Sequence, residues 1–206
     1  MPNLRKLADA FKVKNKQCDS RVMDLPAKIL LTTSRNPTPR IRTFCHDFTR
    51  VIPNAVYVNR GKMSNDEVAE KALECNADRV VVVDRHQGGP GVLRLFKVGE
   101  SGLASTPPSI HVAVIKLQRD FGASGVKPAS SINIAVHKEF DDLVRLGNAL
   151  SDFLGISILE TKEMMKSGST ILGISPDKSG KIAMTFVTEP NHFEVGPHIL
   201  ISRVDW

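Results

Sequence analysis

The chain has 206 residues, of which 41% are hydrophobic and 24% are charged, as in an average globular protein. This composition argues against intrinsic disorder, collagen and coiled coils, and the length allows one large domain or two units of roughly 100 residues. The apolar runs are far shorter than the roughly 18 residues of a membrane span, so we expect neither a span nor a secretory signal. Cys18, Cys45 and Cys75 form no CxxC pair, which indicates a reducing, intracellular setting and no metal site.

The net charge of +6 is concentrated at one end of the chain. Residues 1–60 hold twelve lysines and arginines against four acids, whereas residues 61–206 hold sixteen basic and eighteen acidic residues. A concentrated basic surface favours a polyanion such as nucleic acid, because binding releases counterions. A solvated basic tail in front of an ordinary domain explains the charge equally well, so both interpretations stay open.

The first half of the chain predicts alternating strands and helices after a basic arm, residues 1–26. Thr38 is the expected N-cap of a helix that begins at Pro39, and Ser64 with Glu67 forms a capping box. We expect the Gly88–Gly91 segment to be a turn and the Pro107-Pro108 pair to lie in a loop. The predicted elements are a strand at Ala27–Thr33, a helix from Pro39 to Ile52, a strand at Ala55–Val58, a helix at about Asn65–Asn76, and strands at Arg79–Asp84, Val92–Val98 and Ile110–Leu117.

The second half repeats this order after a small-residue linker, residues 122–130. The predicted elements are a strand at Ile132–Val136, a helix at Lys138–Leu154 ending at Gly155, a short strand at Ile156–Leu159, a short helix at Thr161–Ser167, and strands at Thr170–Ile174, Ile182–Thr188 and His198–Val204. A shift of 102 positions places Ile41 on Leu143 and Phe44 on Leu146, and likewise matches Phe48, Val51 and Ile52 with Leu150, Phe153 and Leu154. We therefore expect an α/β protein of two similar β-α-β-α-β-β-β halves, residues 27–121 and 131–206, produced by internal duplication.

The densest polar segment is TTSRNPTPRIR, residues 32–42, at the junction of the first strand and the first helix. Hydroxyl groups, guanidinium groups and free N–H groups at a helix N-terminus are the groups that bind phosphate oxygens. This pattern predicts an anion site. A capped helix with solvated arginines explains the same residues and remains an alternative.

The stretch ILLTTSRNPTPRIRTFCHDFTRVIPNA resembles the start of the Brix domain, which occurs in proteins of ribosomal RNA processing. The positions that match its motifs are Ser34, Arg35, Pro37, Arg42, Phe44 and Pro53. The match returns at Phe193–Pro197, which is similar to the closing E-x-G-P-R motif of the family, with His198 in place of its arginine. The compact length resembles an archaeal member. The resemblance implies two halves, each similar to the anticodon-binding domain of class II aminoacyl-tRNA synthetases.

The resulting hypothesis is a non-enzymatic, cytoplasmic protein that binds precursor ribosomal RNA and assists its processing or assembly. Ribosome assembly proteins are further possible partners, and no cofactor, metal ion or membrane is expected. Arg35, Arg40 and Arg42 are expected to contact phosphates, with Ser34 and Thr38 shaping the site. The complete set of expected RNA-binding residues is Lys28, Thr33, Ser34, Arg35, Thr38, Arg40, Arg42, Arg50, Arg60 and Lys62.

Two other function classes stay open. An enzyme acting on phosphorylated substrates requires a polar cleft that contains Asp84 and His86, although a charged hairpin turn also explains this pair. An interaction module requires only that the basic arm binds an acidic protein. With one Tyr, one Trp and phenylalanines mostly at core spacing, base stacking is not the expected mode of RNA binding.

Overall fold

The computed structural model describes residues 28–87, 89–122, 128–159, 169–188 and 193–206. The predicted basic arm, residues 1–26, and the predicted short helix at 161–167 lie outside the described residues. The described helices are α1 (Pro39–Val51), α2 (Asn65–Glu74) and α3 (Asp141–Leu154), with a 3-10 turn at Gln118–Phe121. Within these ranges no helix is long and apolar enough to cross a membrane.

The described strands join into one sheet. They are β1 (Ile29–Thr33), β2 (Ala55–Tyr57), β3 (Arg79–His86), β4 (Gly89–Gly99), β5 (Gly102–Lys116), β6 (Ser131–Val136), β7 (Ser169–Pro176), β8 (Ile182–Thr188), β9 (Phe193–Glu194) and β10 (His198–Asp205). Their spatial order is β2-β1-β3-β4-β5-β10-β8-β7-β6, and β9 pairs with β8.

The sheet is parallel at its two ends and antiparallel in the middle. At one end β1 lies parallel to both β2 and β3. At the other end β6 lies parallel to β7, and Ile134 of β6 forms a single parallel bridge with Ile158 on its other side. The strands between them pair antiparallel, with β5 and β10 joining the two halves. The fold is therefore mixed α/β, as the sequence predicts.

Helices α1 and α3 pack on the same face of the sheet. Both helices bury the apolar positions that the 102-residue shift aligns: Ile41 and Leu143, Phe44 and Leu146, Phe48 and Leu150, Val51 and Phe153, Ile52 and Leu154. The rings of Phe48 in the first half and Phe186 in the second lie edge to face, with centroids 5.8 Å apart. One continuous apolar core therefore spans both halves.

Helix α2 covers the opposite face of the first half. The predicted capping box is present: Ser64 N–H donates to Glu67 Oε2 at 2.7 Å, and Glu67 N–H donates to Ser64 Oγ at 3.2 Å. Val68 and Ala72 of α2 are buried against Leu30, Val80 and Val82 of the sheet.

Several boundaries differ from the predicted ones, and the reasons lie in strand pairing. Strand β5 begins at Gly102, so the prediction of a loop at Pro107-Pro108 is wrong. The prolines are tolerated because β5 has a bulge there: Leu93 pairs with Ile110, but Leu95 already pairs with Thr106. β4 likewise begins at Gly89, inside the predicted turn.

The second half also differs in detail from its predicted elements. The predicted strand at Ile156–Leu159 is reduced to the single bridge at Ile158. Helix α3 begins at Asp141 instead of Lys138, since Phe140 takes an extended conformation as the N-cap. Strand β9 has no counterpart among the predicted elements, because two residues are too few to give a periodic pattern.

Candidate nucleic-acid interface

The loop between β1 and α1 is fastened to the end of β3. Ser34 N–H donates to Val83 O at 3.0 Å, which extends the β1–β3 pairing by one residue. Arg85 N–H in turn donates to Ser34 Oγ at 3.3 Å. The sheet thus fixes the position of Ser34 and, through it, the start of the loop that leads to the N-terminus of α1.

The N-terminus of α1 is capped, and its own first turn contains no acidic residue. Thr38 Oγ1 accepts a hydrogen bond from Ile41 N–H at 3.4 Å, as predicted for the N-cap, and Pro39 occupies the first helical position. No acid lies in the first turn of α1, whereas Asp141 and Asp142 lie in the first turn of α3. The positive end of the helix dipole favours anions, so of these two helices α1 has the N-terminus suited to phosphate.

The three arginines expected at this site have different neighbours. Arg35 is exposed beside the N-terminus of α2. Arg40 donates from Nη2 to Ile115 O of β5 at 2.7 Å and lies 3.5 Å from Asp120. Arg42 is exposed and lies near Tyr57: burial raises the pKa of that phenol most, and the Arg42 charge partly opposes the increase. Arg40 therefore attaches α1 to β5 although its side chain is 43% exposed, and Arg35 and Arg42 are exposed as well.

The remaining expected residues divide between surface and interior. Lys28, Arg50 and Lys62 are exposed, and Arg50 also donates to Gln118 Oε1 at 3.4 Å. Thr33 is buried, and its hydroxyl oxygen has no hydrogen-bond partner among the described residues.

Arg60 is not part of the open basic surface that the sequence suggests. Its residue surface is only 8% exposed, and its guanidinium group donates to Met63 O at 3.1 Å and to Asn65 Oδ1 at 2.6 Å. Burial lowers the pKa of Arg60, the charge of Arg35 lowers it further, and Asp84 raises it. Arg60 lines a cavity next to the β1–α1 loop.

A concave site that the sequence motifs do not reveal lies between the β1–α1 loop and the N-terminus of α2. We call it the arginine cavity; it has a volume of about 440 Å³, and its polar lining residues are Ser34, Arg35, Arg60, Asn65, Asp84 and Arg94. Arg94 Nε lies 2.7 Å from Asp84 Oδ2. In sequence, the alternation of Arg94 with the buried Leu93 and Leu95 could have placed the arginine on the opposite face of the sheet.

A second cleft of about 440 Å³ adjoins the arginine cavity and contains the pair that an enzyme requires. Asp84, His86 and His111 all line this cleft. The carboxylate of Asp84 is engaged by Arg94, however, and His111 Nε2 lies 2.7 Å from Asp205 Oδ2. Among the described residues no group of three or more His, Cys, Asp or Glu side chains could hold a metal ion.

The closing motif lies at the junction of the two halves. His198 Nδ1 lies 2.9 Å from Glu194 Oε1, and the His198 ring stacks on Phe121 with centroids 6.4 Å apart. Where the family motif has an arginine, this chain therefore has an imidazole that pairs within the motif itself.

Similar proteins were found by sequence comparison, although no family model matches the chain. A probable Brix domain-containing ribosomal biogenesis protein of Aeropyrum pernix is 46% identical over 90 residues, which cover 44% of this chain and 50% of the relative. Proteins of the same name from Pyrococcus horikoshii and Methanopyrus kandleri are 34% and 28% identical, over 48% and 63% of this chain and 44% and 67% of theirs. The matched segment thus spans half or less of the length of the first two relatives.

Solved structures extend the likeness over more of the chain. A crystal structure of a probable ribosomal biogenesis protein from Aeropyrum pernix K1 has a TM-score of 0.72 and 27% identity, covering 85% of this chain and 95% of that one. An archaeal Imp4-like protein, Mil, has a TM-score of 0.60 at 22% identity, which supports the fold alone. The resemblance to the Brix family is confirmed: the homologues of this chain are archaeal Brix domain-containing ribosomal biogenesis proteins.

Proposed function

We propose that the protein binds precursor ribosomal RNA in the cytoplasm and assists its processing or assembly without catalysing a reaction. The names of its homologues support a role in ribosome biogenesis, since they describe ribosomal biogenesis proteins and no enzyme. The observation that carries the proposal is the segment from Ser34 to Arg42, where Arg35 and Arg42 are exposed and the first turn of α1 contains no acidic residue. Ribosome assembly proteins are the second class of partner that this role implies.

Phosphate and shape recognition is the mode of binding that the exposed residues support. The large hydrophobic side chains exposed in the described ranges are Val114, Phe140, Phe193 and Trp206. Trp206 is covered by Arg145, whose guanidinium carbon lies 3.8 Å from the ring centroid. This set does not resemble a row of stacking aromatics, so RNA contacts are assigned to Arg35, Arg42 and their neighbours.

We infer that the two halves arose by internal duplication. The first half gives the order β2-β1-β3-β4-β5, and the second gives a bridge at Ile158 followed by β6-β7-β8-β10, with the same parallel and antiparallel pairings. The aligned apolar positions of α1 and α3 are buried in both helices. A likeness of each half to the anticodon-binding domains of class II aminoacyl-tRNA synthetases is part of this inference, and superposition of residues 27–118 on 131–204 tests it.

Binding to RNA at several salt concentrations tests the proposed function. The probe is a fluorescein-labelled transcript of a precursor ribosomal RNA helix, measured by anisotropy against an unlabelled poly(U) competitor. The variant Arg35→Gln/Arg42→Gln should bind the transcript about tenfold more weakly, because it lacks two exposed guanidinium groups. Its slope of log K against log salt should flatten by about 0.7 to 0.9 for each phosphate that the variant no longer neutralises.

The matched control removes two charges elsewhere. Lys97 and Lys138 are exposed, and neither lines the N-terminus of α1 or the arginine cavity. The variant Lys97→Gln/Lys138→Gln should reduce affinity by less than about threefold, through net charge alone. The support for this function would be lost if the two double variants reduced RNA affinity equally. It would also be lost if the wild type bound the transcript no more tightly than a protein of zero net charge does.

Deletion of residues 1–24 separates the domain from the basic arm. Residues 5–16 carry five basic side chains and one acid, and charge alone does not distinguish one RNA from another. We expect the deletion to weaken binding to the transcript and to poly(U) by a similar factor. Loss of the preference for the transcript on deletion would favour the interaction-module alternative instead.

An enzyme acting on a phosphorylated substrate is the second candidate, because Asp84 and His86 line one cleft. In that function Asp84 serves as an acid or base, so Asp84→Asn should abolish turnover of a substrate such as p-nitrophenyl phosphate. Hydrolysis by the wild type that the variant lacks would support this candidate.

A further inference from the structure

The arginine cavity is lined by more basic than acidic side chains. Arg35, Arg60 and Arg94 line it with a single acid, Asp84. Glu67, whose carboxylate also lies within the electrostatic reach of Arg35, accepts a hydrogen bond from Ser64 N–H at 2.7 Å in the capping box of α2. The lining of the cavity therefore carries a formal excess of positive charge.

Strand pairing fixes where these groups lie. Arg94 of β4 is opposite Val82 of β3, and Asp84 is opposite Val92, so Asp84 and Arg94 are diagonal neighbours on one face of the sheet. The hydrogen bonds of Arg60 to Met63 O and Asn65 Oδ1 hold its guanidinium group in place. Arg60 is thus pre-oriented before any ligand arrives, which reduces the entropic cost of binding.

Asp84 is the group that neutralises Arg94. The pair is close, at 2.7 Å, but the side chain of Arg94 is 54% exposed, so solvent weakens the attraction. A phosphate group offers more acceptor oxygens than one carboxylate and suits the planar fork of an arginine. A phosphate is therefore able to compete with the Asp84 carboxylate for Arg94.

We propose that the arginine cavity binds one phosphate group of an RNA backbone, and that Asp84 competes with that phosphate for Arg94. The inference rests on the RNA-binding function proposed above and adds Arg94 and Asn65 to the residues that face RNA. Arg94 and the buried Arg60 contact the phosphate from two sides of the cavity, and Arg35 closes the site from the exposed loop. Asp84 limits the affinity, so its removal strengthens binding.

The test uses the full chain with two probes. The first is a fluorescein-labelled RNA duplex of about 16 base pairs, measured by anisotropy at several salt concentrations. The second is inorganic pyrophosphate, measured by isothermal titration calorimetry. Arg94→Gln should weaken duplex binding by about fivefold and flatten its salt slope by about 0.7 to 0.9. Asp84→Asn should tighten binding by about twofold to fivefold.

Controls separate the cavity from the overall charge. Lys97→Gln removes an exposed cation from β4, and Asp152→Asn removes an exposed acid from α3; neither residue lines the cavity. Their effects should be about twofold or less. The double variant Asp84→Asn/Arg94→Gln should show little of the gain from Asp84→Asn, because the competition is for Arg94. Circular dichroism melts check that every variant is folded.

The results decide the cavity and the function separately. If Arg94→Gln matches Lys97→Gln and Asp84→Asn matches Asp152→Asn while the wild type binds duplex RNA, the cavity proposal is overturned and the RNA-binding function stands. If the wild type does not bind RNA, the function fails, and pyrophosphate decides the cavity. An anion site is then supported if pyrophosphate binds most tightly to Asp84→Asn, less tightly to the wild type and most weakly to Arg94→Gln. Equal affinities of the three proteins for pyrophosphate overturn the anion site.

Discussion

The carboxylate of Asp47, buried on α1, accepts a hydrogen bond from the main-chain N–H of Gln118 at 3.0 Å. The side-chain amide of Gln118 in turn donates to Val195 O in the loop between β9 and β10. Gln118 is only 3% exposed, so this pair of hydrogen bonds runs through the interior. It connects the helix that begins the candidate interface in the first half to the closing motif in the second.

Substitution of Asp47 tests this connection. Asp47→Ala leaves the buried N–H of Gln118 without an acceptor, so we expect the free energy of unfolding to fall by about 1 to 3 kcal/mol. Asp47→Asn keeps an acceptor oxygen, and we expect a change of less than about 1 kcal/mol. Urea denaturation followed by circular dichroism measures both. Equal decreases in the two variants would show that the charge of Asp47, and not its hydrogen bond, matters.

The pH dependence of stability gives a second prediction for Asp47. Burial raises the pKa of this carboxyl group, and the Gln118 hydrogen bond and the Arg50 charge only partly oppose the shift. The folded state therefore holds the proton to a higher pH than the unfolded state does, so this group makes stability fall as pH rises from about 4 through the raised pKa. The stability of Asp47→Asn relative to the wild type should increase over that range and then level off. A constant difference between about pH 4 and pH 7 would contradict the raised pKa.

Close packing against Phe186 explains why the closing motif contains a glycine at position 196. A Cβ atom at this position would lie 2.6 Å from Phe186 Cβ and 2.7 Å from Phe186 Cγ, and Phe186 is fully buried. We expect Gly196→Ala to lower the free energy of unfolding by about 1 to 3 kcal/mol, through displacement of the Phe186 ring. Gly89→Ala is the control, because nothing lies within 4 Å of its added Cβ. Thermal melts of both variants compare them, and equal stabilities would refute the packing argument.

The features of the fold that could be predicted from sequence are the local ones. Thr38 as N-cap and the Ser64–Glu67 capping box depend on residues within one helical turn, and both predictions are confirmed. The length of β5 is not predictable in the same way. Pro107-Pro108 signals a loop locally, and only the pairing of β4 with β5 places a bulge there.

The same distinction between local and tertiary features applies to the residues of the candidate site. Ser34 and Arg35 can be found from sequence because they lie in one short polar segment. Arg94 cannot be found in this way, because it lies 59 positions after Arg35 and only the pairing of β3 with β4 brings it to the cavity. The burial of Arg60 and the attachment of Arg40 to Ile115 O depend likewise on tertiary contacts that no sequence pattern records.

The thiol of Cys45 is expected to be unreactive in the folded protein. Cys45 is fully buried on α1, and burial raises its pKa to about 12, so the nucleophilic thiolate is not populated at neutral pH. Cys75, at the C-terminus of α2, is partly exposed. Iodoacetamide at about pH 8 followed by peptide mass spectrometry should modify Cys75 within minutes and Cys45 only in urea. Modification of both at equal rates in the native protein would contradict the buried position of Cys45.

Arg40 provides the sharpest contrast between stability and RNA binding. Since its guanidinium group donates to Ile115 O at 2.7 Å and pairs with Asp120, we expect Arg40→Gln to lower the free energy of unfolding by about 1 kcal/mol. Arg42→Gln, whose arginine is exposed, should change it by less than about 0.5 kcal/mol. RNA affinity should follow the opposite order, with the larger decrease in Arg42→Gln. Urea denaturation and anisotropy on the same two proteins measure both quantities. If Arg40→Gln weakens RNA binding more at unchanged stability, Arg40 contacts RNA directly through the exposed part of its guanidinium group, as the sequence alone suggests.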